Sequence, residues 1–146
     1  MITKCLWVLI ALCSLSFLSY GMDVNNLPQQ MWWAIAENRI QDMALLLSGG
    51  LSPDTRPAGF RTAVYEAAHR ERKELLEMLI NAGADVKAKN LNGGDTALHI
   101  AVKNGNKEII KMLLDAGANP LQSNDFEESA ASITQDPEIL QLLAQQ

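Results

Sequence analysis

The chain has 146 residues, of which 48% are hydrophobic, and it carries a formal net charge of −5 at neutral pH. This length and apolar content suit a single folded domain with a real core. The negative charge argues against a nucleic-acid partner, because a polyanion would be repelled by the protein as a whole.

The first 21 residues predict a signal peptide. Lys4 precedes a mostly apolar run at 5–19, and the small residues Ser19 and Gly21 favour cleavage after Gly21. An uncleaved membrane anchor is the alternative, but the run is shorter than the ~20 residues that a spanning helix needs and is interrupted by serines. We therefore expect a periplasmic or secreted protein, with residues 22–146 as the folded domain and no membrane span after cleavage.

Cleavage would change the charge and the cysteine content of the chain. Lys4 is the one charged residue of the leader, so its removal takes the net charge from −5 to −6. Both cysteines, Cys5 and Cys13, also lie in the leader. A mature chain without cysteine can form no disulfide and no thiolate metal site.

Beyond the leader, apolar residues with helical spacing alternate with loops rich in glycine, proline and asparagine. Thr62, Thr96 and Asp136 are expected to cap helices through side-chain oxygens, and Gly105 and Gly117 to end them. In chain order, the predicted helices lie at 28–37, 40–48, 63–70 and 73–81, as a pair within 95–120, and from 136–137 to the end. Loops at 52–61, 85–95 and 119–128 separate the helix pairs.

An internal repeat explains this alternation. Residues 62–86 and 96–120 match at an offset of 34, with ten of the 25 aligned positions identical. The second copy contains Thr-Ala-Leu-His-Ile-Ala at 96–101. A period near 33 with a Thr-Pro-Leu-His-x-Ala core is typical of ankyrin repeats, so the chain resembles that family, with Ala97 in place of the proline. With one copy upstream and a degraded copy downstream, the repeats lie at about 27–53, 58–86, 91–120 and 124–146.

The resemblance implies an all-α fold, an ankyrin-repeat solenoid of about four helix-turn-helix repeats with short β-hairpin-like fingers. Each repeat then buries its apolar face against its neighbours. The first helix of the last repeat, near 129–133, is expected to be shortened, because terminal repeats are atypical. The resemblance also implies that His99 hydrogen-bonds backbone between repeats, and Trp32 and Tyr65 occupy the equivalent positions.

Residues that could carry chemistry do not form a recognisable catalytic site. The sequence contains no nucleophile elbow, no His-Glu-x-x-His and no phosphate-binding loop. His69 and His99 are 30 residues apart and have no cysteine nearby, which makes a poor metal site. The adjacent carboxylates Glu127 and Glu128 lie in a predicted loop, where solvation is their ordinary role. We therefore expect no enzyme activity, no metal and no cofactor.

The resemblance implies a protein partner that contacts the finger tips and the concave face of the first helices. One apolar residue on each finger would be poorly buried, which favours a role as an interface anchor. Packing of each against the next finger is the alternative. The predicted partner-binding residues are Arg56, Phe60, Arg61, His69, Arg70, Leu91, Asn92, Asp95, Lys103, Asn104, Asp125, Phe126 and Glu127.

Charge is distributed unevenly over the predicted domain. Basic residues cluster around the second repeat and acidic residues around the last one. This pattern either polarises a binding face or only keeps the helix ends soluble. We expect a monomer that acts as an adaptor, or as an immunity-type inhibitor, of an envelope protein. The alternatives are a secreted effector that binds host proteins and an accessory factor in stress protection.

Overall fold

Short helices arranged in pairs make up the described part of the chain, which in the computed structural model comprises residues 26–56 and 61–145. These residues confirm the predicted all-α repeat solenoid. The predicted signal peptide and Phe60 lie outside the described residues. The helices are α1 Leu27–Ala36, α2 Ile40–Ser48, α3 Ala63–His69, α4 Lys73–Asn81, α5 Ala97–Asn104, α6 Lys107–Asp115 and α7 Pro137–Ala144.

The helices are arranged in two layers. Helices α1, α3 and α5 contact one another in order and form what we call the first-helix layer. The second-helix layer contains α2, α4, α6 and α7, with α2 packed on α4 and α7 packed on α6. Helices of seven to ten residues are too short to be stable alone. Their stability comes from the apolar core between the layers, whose largest fully buried side chains include Met31, Ile35, Met43, Leu75, Leu76, Leu79, Leu98, Ile109, Ile110, Leu113 and Ile139.

Side-chain caps begin α3 at Thr62 and α7 at Asp136, as predicted. The Thr62 hydroxyl accepts a hydrogen bond from the Tyr65 N–H at 3.1 Å. An Asp136 carboxylate oxygen accepts one from the Glu138 N–H at 2.9 Å, and Pro137 occupies the first helical position. Helix α5 ends at Gly105, whose φ of 72° is in the left-handed region that favours glycine. The capping predictions for both helices and the glycine stop are therefore confirmed.

His99 connects two repeats through hydrogen bonds. Its side chain is fully buried, and Nδ1 accepts from the Thr96 N–H at 3.2 Å. Nε2 lies 3.0 Å from the carbonyl oxygen of Glu128, which belongs to the next loop. With Nδ1 as acceptor, the ring is the tautomer that donates from Nε2. The predicted structural role of His99 is confirmed.

The loops between repeats are built by asparagine side chains rather than by strands. Residues 26–56 and 61–145 contain no β-strand, and the third loop has one isolated antiparallel bridge between Ser123 and Ser129. The Asn90 side-chain oxygen accepts from the Thr62 N–H at 3.2 Å, while that of Asn124 accepts from two N–H groups of its own loop at 2.9 Å. The β-hairpin-like character of the fingers is therefore not confirmed.

The last repeat departs from the predicted shortened helix. Residues 129–133 form turns, and Ala130 is buried. The Ser132 hydroxyl accepts from the Ser129 N–H at 2.9 Å, and the Ser129 hydroxyl accepts from the Ser132 N–H at 3.3 Å. Serine side chains compete in this way with helical hydrogen bonds. The prediction of a first helix here is wrong, because the hydrogen bonds of Ser129 and Ser132 stabilise turns at these residues instead.

Ion pairs link successive helices of the second-helix layer. Lys73 of α4 pairs with Glu108 of α6, and Lys107 of α6 pairs with Glu138 of α7. The two lysines are 34 residues apart, so the pairing follows the repeat. Each pair is solvated and screened by water, so it adds little to stability. None of the helices in the described part of the chain combines the length and the apolar character needed to cross a membrane.

Candidate functional site

The first-helix layer carries two arginines stacked on aromatic rings. The guanidinium carbon of Arg61 lies 5.5 Å from the centre of the Tyr65 ring, and that of Arg70 lies 5.2 Å from the centre of a Trp32 ring. Between them, Glu66 pairs with Arg61 Nη1 at 3.2 Å and with Arg70 Nε at 2.7 Å. We call these five residues the arginine–aromatic cluster.

The local sequence of α3 explains this arrangement. Ala67 and Ala68 are fully buried, and their small side chains let α3 pack between α1 and α5. Glu66 is placed one helical turn before Arg70, which is the i, i+4 spacing of a helical ion pair. Arg61 reaches the same carboxylate from the loop before α3. The cluster therefore joins residues from the first two repeats.

Glu66 is ionised although only 2% of its side chain is exposed. Burial alone would raise the pKa of Glu66, but the hydrogen bonds and charges of Arg70 and Arg61 outweigh burial and hold the pKa below its ordinary value of 4.5. A buried carboxylate requires such partners, because the desolvation cost of an unpaired charge is large. The two guanidinium groups and one carboxylate give the cluster a net charge of +2 − 1 = +1.

Further aromatic groups border the cluster. The exposed ring of His69 stacks on Tyr65, with centroids 6.1 Å apart and planes inclined by 9°. Trp33 meets Trp32 edge to face, with centroids 5.0 Å apart. Both tryptophans are half-buried, so Trp32 is less buried than the equivalent Tyr65 and His99. Burial raises the pKa of Tyr65, while the neighbouring charge of Arg61 opposes that rise.

A second polar group lies in the third repeat. Lys103 Nζ binds one carboxylate oxygen of Asp95 at 2.8 Å, and the Asn124 amide binds the other at 2.8 Å. Burial alone would raise the pKa of Asp95, but these hydrogen bonds hold it below its ordinary value. The same bond to Asp95 raises the pKa of Lys103. Asp95 and Lys103, both predicted to bind a partner, thus form an ion pair at the base of the second finger.

In the described part of the chain, the second and third fingers expose large apolar side chains, among them those of Leu91 and Phe126. Leu91 is 63% exposed and Phe126 is 72% exposed. The Phe126 ring lies over Gly93, with Cε2 3.1 Å from the position that a Cβ would occupy there. The Asp125 N–H donates to the Gly93 carbonyl at 3.0 Å, so the third finger rests on the second. The Phe126 ring thus contacts the neighbouring finger and remains largely exposed, while its role as an interface anchor stays a prediction.

Apart from the Asp95–Lys103 pair and Phe60, the predicted binding residues fall into three places. Arg61, His69 and Arg70 lie together, and the Asn104 amide joins them to the third repeat by donating to the His69 carbonyl at 3.2 Å. Asn92 and Glu127 are exposed at the tips beside Leu91 and Phe126. Arg56 instead joins two fingers, donating from Nη2 to the Lys89 carbonyl at 3.1 Å.

Sequence reasoning missed three residues of this surface, namely Glu66, Asn90 and Asn124. The asparagines carried a usable signal, because they are 34 residues apart and thus occupy the same position of successive repeats. Glu66 carried a weaker signal, since arginines stand five positions before it and four after it.

Among residues 26–56 and 61–145, no three His, Cys, Asp or Glu side chains are grouped to hold a metal ion. A shallow depression of about 470 Å³ lies between α6 and α7, away from the predicted surface, and its lining includes the paired Lys107 and Glu138. Six of its seven lining residues are charged or polar, whereas ligand pockets are lined mostly by hydrophobic residues.

Paired helices stacked in one direction, with exposed loop tips, define a repeat scaffold of the kind that binds other proteins. A comparison with protein-family models matches residues 31–124 to ankyrin repeats, in three copies. The match covers more than half of the chain, and the chain belongs to the ankyrin-repeat family. Ankyrin repeats are protein–protein interaction modules and are typically not enzymes. A search of curated proteins found no significant match.

Proposed function

We propose that this protein is exported and binds a protein of the cell envelope, as an adaptor or as an inhibitor of it. The observation that carries the proposal is the arginine–aromatic cluster, whose guanidinium groups lie on the Tyr65 and Trp32 rings at 5.5 and 5.2 Å. Tryptophan, tyrosine and arginine are the residues most enriched among interface hot spots.

The finger tips support a binding surface that extends beyond the cluster. Phe126 and Leu91 expose most of their side chains on loops that are braced by backbone and asparagine hydrogen bonds. A braced apolar tip loses little conformational entropy on binding, so more of its burial energy appears as affinity. The contact surface would then combine the first-helix face with the second and third fingers.

Export is proposed from the leader sequence. The Lys4 charge followed by the apolar run at 5–19 is the pattern of a secretory signal. A location in the envelope favours an adaptor, an inhibitor or a stress-protective accessory factor, whereas release from the cell favours an effector that binds host proteins. Cell fractionation, with mass spectrometry of the mature N-terminus, tests this part. Detection of intact residues 1–21 on cytoplasmic protein would overturn it.

Binding is tested by co-purification from envelope extract with the full chain as bait. The comparison variant combines Arg70→Lys, Leu91→Ala and Phe126→Ala, which reduces the surface without removing the charge beside Glu66. The control is Lys111→Gln, an exposed change on α6 of the second-helix layer.

We expect one protein that the wild type and the control retain and the comparison variant loses. The activity of that retained protein should fall or rise when it is mixed with the purified wild type. Equal retention by all three forms would contradict the proposed surface. A retained protein whose activity does not respond would favour an adaptor over an inhibitor.

A further inference from the structure

The arginine–aromatic cluster contains more hydrogen-bond donors than its own carboxylate uses. Each Glu66 oxygen accepts one bond, from Nη1 of Arg61 and from Nε of Arg70. A guanidinium group carries five N–H donors in a planar fork. The side chains of Arg61 and Arg70 are 44% and 32% exposed, so part of each fork meets solvent.

The cluster is a positively charged site on an acidic protein. Its charge of +1 contrasts with −5 for the whole chain. The acidic residues concentrate at the other end, where residues 121–146 include five carboxylates and no lysine or arginine. A negatively charged ligand is therefore attracted to the arginine–aromatic cluster and repelled by the last repeat.

Glu66 and the aromatic rings hold the two guanidinium groups in place before any ligand arrives. A flexible arginine loses conformational freedom when it binds a ligand, whereas one already fixed by a buried carboxylate and a ring loses less. This device belongs to the second repeat, because the equivalent positions of Glu66 are Trp33 in the first repeat and Ile100 in the third. These apolar side chains cannot form an ion pair with an arginine.

We infer that the arginine–aromatic cluster recognises an aspartate or glutamate side chain, with an apolar residue beside it, on an exposed segment of the partner protein. This inference rests on the proposed function, since it specifies what part of the partner meets the first-helix face. The carboxylate binds the exposed edges of the Arg61 and Arg70 forks, which match its two oxygens. The apolar neighbour packs on Trp33, which is half-buried.

The test uses a phage-displayed library of random 12-residue peptides, selected on the full-length protein. Selected peptides are synthesised in pairs, with Asp and Glu kept or replaced by Asn and Gln, and their affinities are measured by fluorescence polarisation. We expect enrichment of acidic residues next to aromatic or aliphatic ones. The amide form should bind at least about tenfold more weakly, because charge-assisted hydrogen bonds are lost.

Three protein variants separate positioning from simple charge attraction. Glu66→Gln makes the cluster more positive, so attraction alone predicts tighter binding, whereas loss of positioning predicts affinity at least about fivefold weaker. Arg70→Lys keeps both the charge and the buried carboxylate and should also weaken binding about fivefold or more. Lys111→Gln has the same charge change as removing one arginine and should leave affinity within about twofold.

Several results would overturn the inference. These are recovery of no peptide, recovery without acidic enrichment, equal affinity for the acid and amide forms, or binding that survives Arg70→Lys but is lost in Leu91→Ala with Phe126→Ala. Self-association of the protein that Arg70→Lys abolishes would assign the cluster to a second copy and would overturn it as well. The proposed function fails separately, if the envelope co-purification retains nothing in a surface-dependent way.

Discussion

Replacing His99 by leucine isolates the hydrogen bonds that join two repeats. Leucine places an apolar side chain of similar size in this fully buried position. It removes the acceptor of the Thr96 N–H at 3.2 Å and of the Thr96 hydroxyl contact at 2.7 Å. It also removes the Nε2 partner of the Glu128 carbonyl at 3.0 Å. The variant therefore separates hydrogen bonding from apolar packing at this position.

The expected loss follows from these contacts. A typical hydrogen bond contributes ~0.5–1.5 kcal/mol net, and a buried donor left without a partner costs ~1–3 kcal/mol. Thr96 is 2% exposed, so water cannot easily replace the histidine there. The Glu128 carbonyl keeps the hydrogen bond that it accepts from the Asn124 N–H at 2.8 Å, so it is not left without a partner. We expect destabilisation of about 2–4 kcal/mol, or ~8–16 °C in Tm for a domain of this size.

Urea and thermal unfolding followed by circular dichroism measure this loss. His69→Leu is the matched control, because the same substitution is made at an exposed histidine on the neighbouring first helix. It should change stability by less than about 0.5 kcal/mol. If His99→Leu is no more destabilising than the control, the proposed role of His99 in joining repeats is refuted.

Three further changes test other parts of the structure. The folded-state pKa of Glu66 lies below its ordinary value of 4.5, so the unfolded chain takes up protons first and stability is lost as pH falls below about 5. Thermal melts between pH 6 and 3 should therefore show a Tm that depends less on pH in Glu66→Gln than in the wild type. The combination of Phe60→Ala, Leu91→Ala and Phe126→Ala should leave helicity unchanged and Tm within about 3 °C if the tips face a partner, whereas a large drop in Tm would show internal packing. Gly94→Ala should destabilise the protein by about 1–3 kcal/mol, because the φ of this residue is +66° and the new Cβ would lie 2.2 Å from a carboxylate oxygen of the next finger. Urea unfolding measures this loss, and an unchanged midpoint would contradict the close approach.

The helices and their ends could be predicted because each repeat contains its own local sequence signals for them. Thr62 and Asp136 carry side chains that cap a helix through contacts within a few residues, so no tertiary knowledge is needed. The predicted second helices at 40–48 and 73–81 agree with α2 and α4 for the same reason. The role of His99 came from the family resemblance, since its Glu128 partner is 29 residues away.

The surface was less predictable because it depends on contacts between repeats. Glu66 pairs with both Arg61 and Arg70, and the positions of these arginines in the sequence do not by themselves indicate that the carboxylate is buried. Arg56 was predicted to bind a partner, but it reaches a backbone carbonyl of the next finger, 33 residues on. The turns at 129–133 were missed because serine hydrogen bonds compete with a helix whose other signals were weak.

The positions that break the repeat are the ones that can distinguish one partner from another. Residues shared between copies, such as Thr62 and Thr96, serve stacking and would look alike in any stack. At one equivalent position, by contrast, the three copies have Trp33, Glu66 and Ile100, and only the glutamate gathers two arginines. A repeat scaffold can change such a position without losing its core. A binding preference for carboxylates should therefore depend on the residue at this second-repeat position. It should survive changes to the shared residues that leave the fold intact.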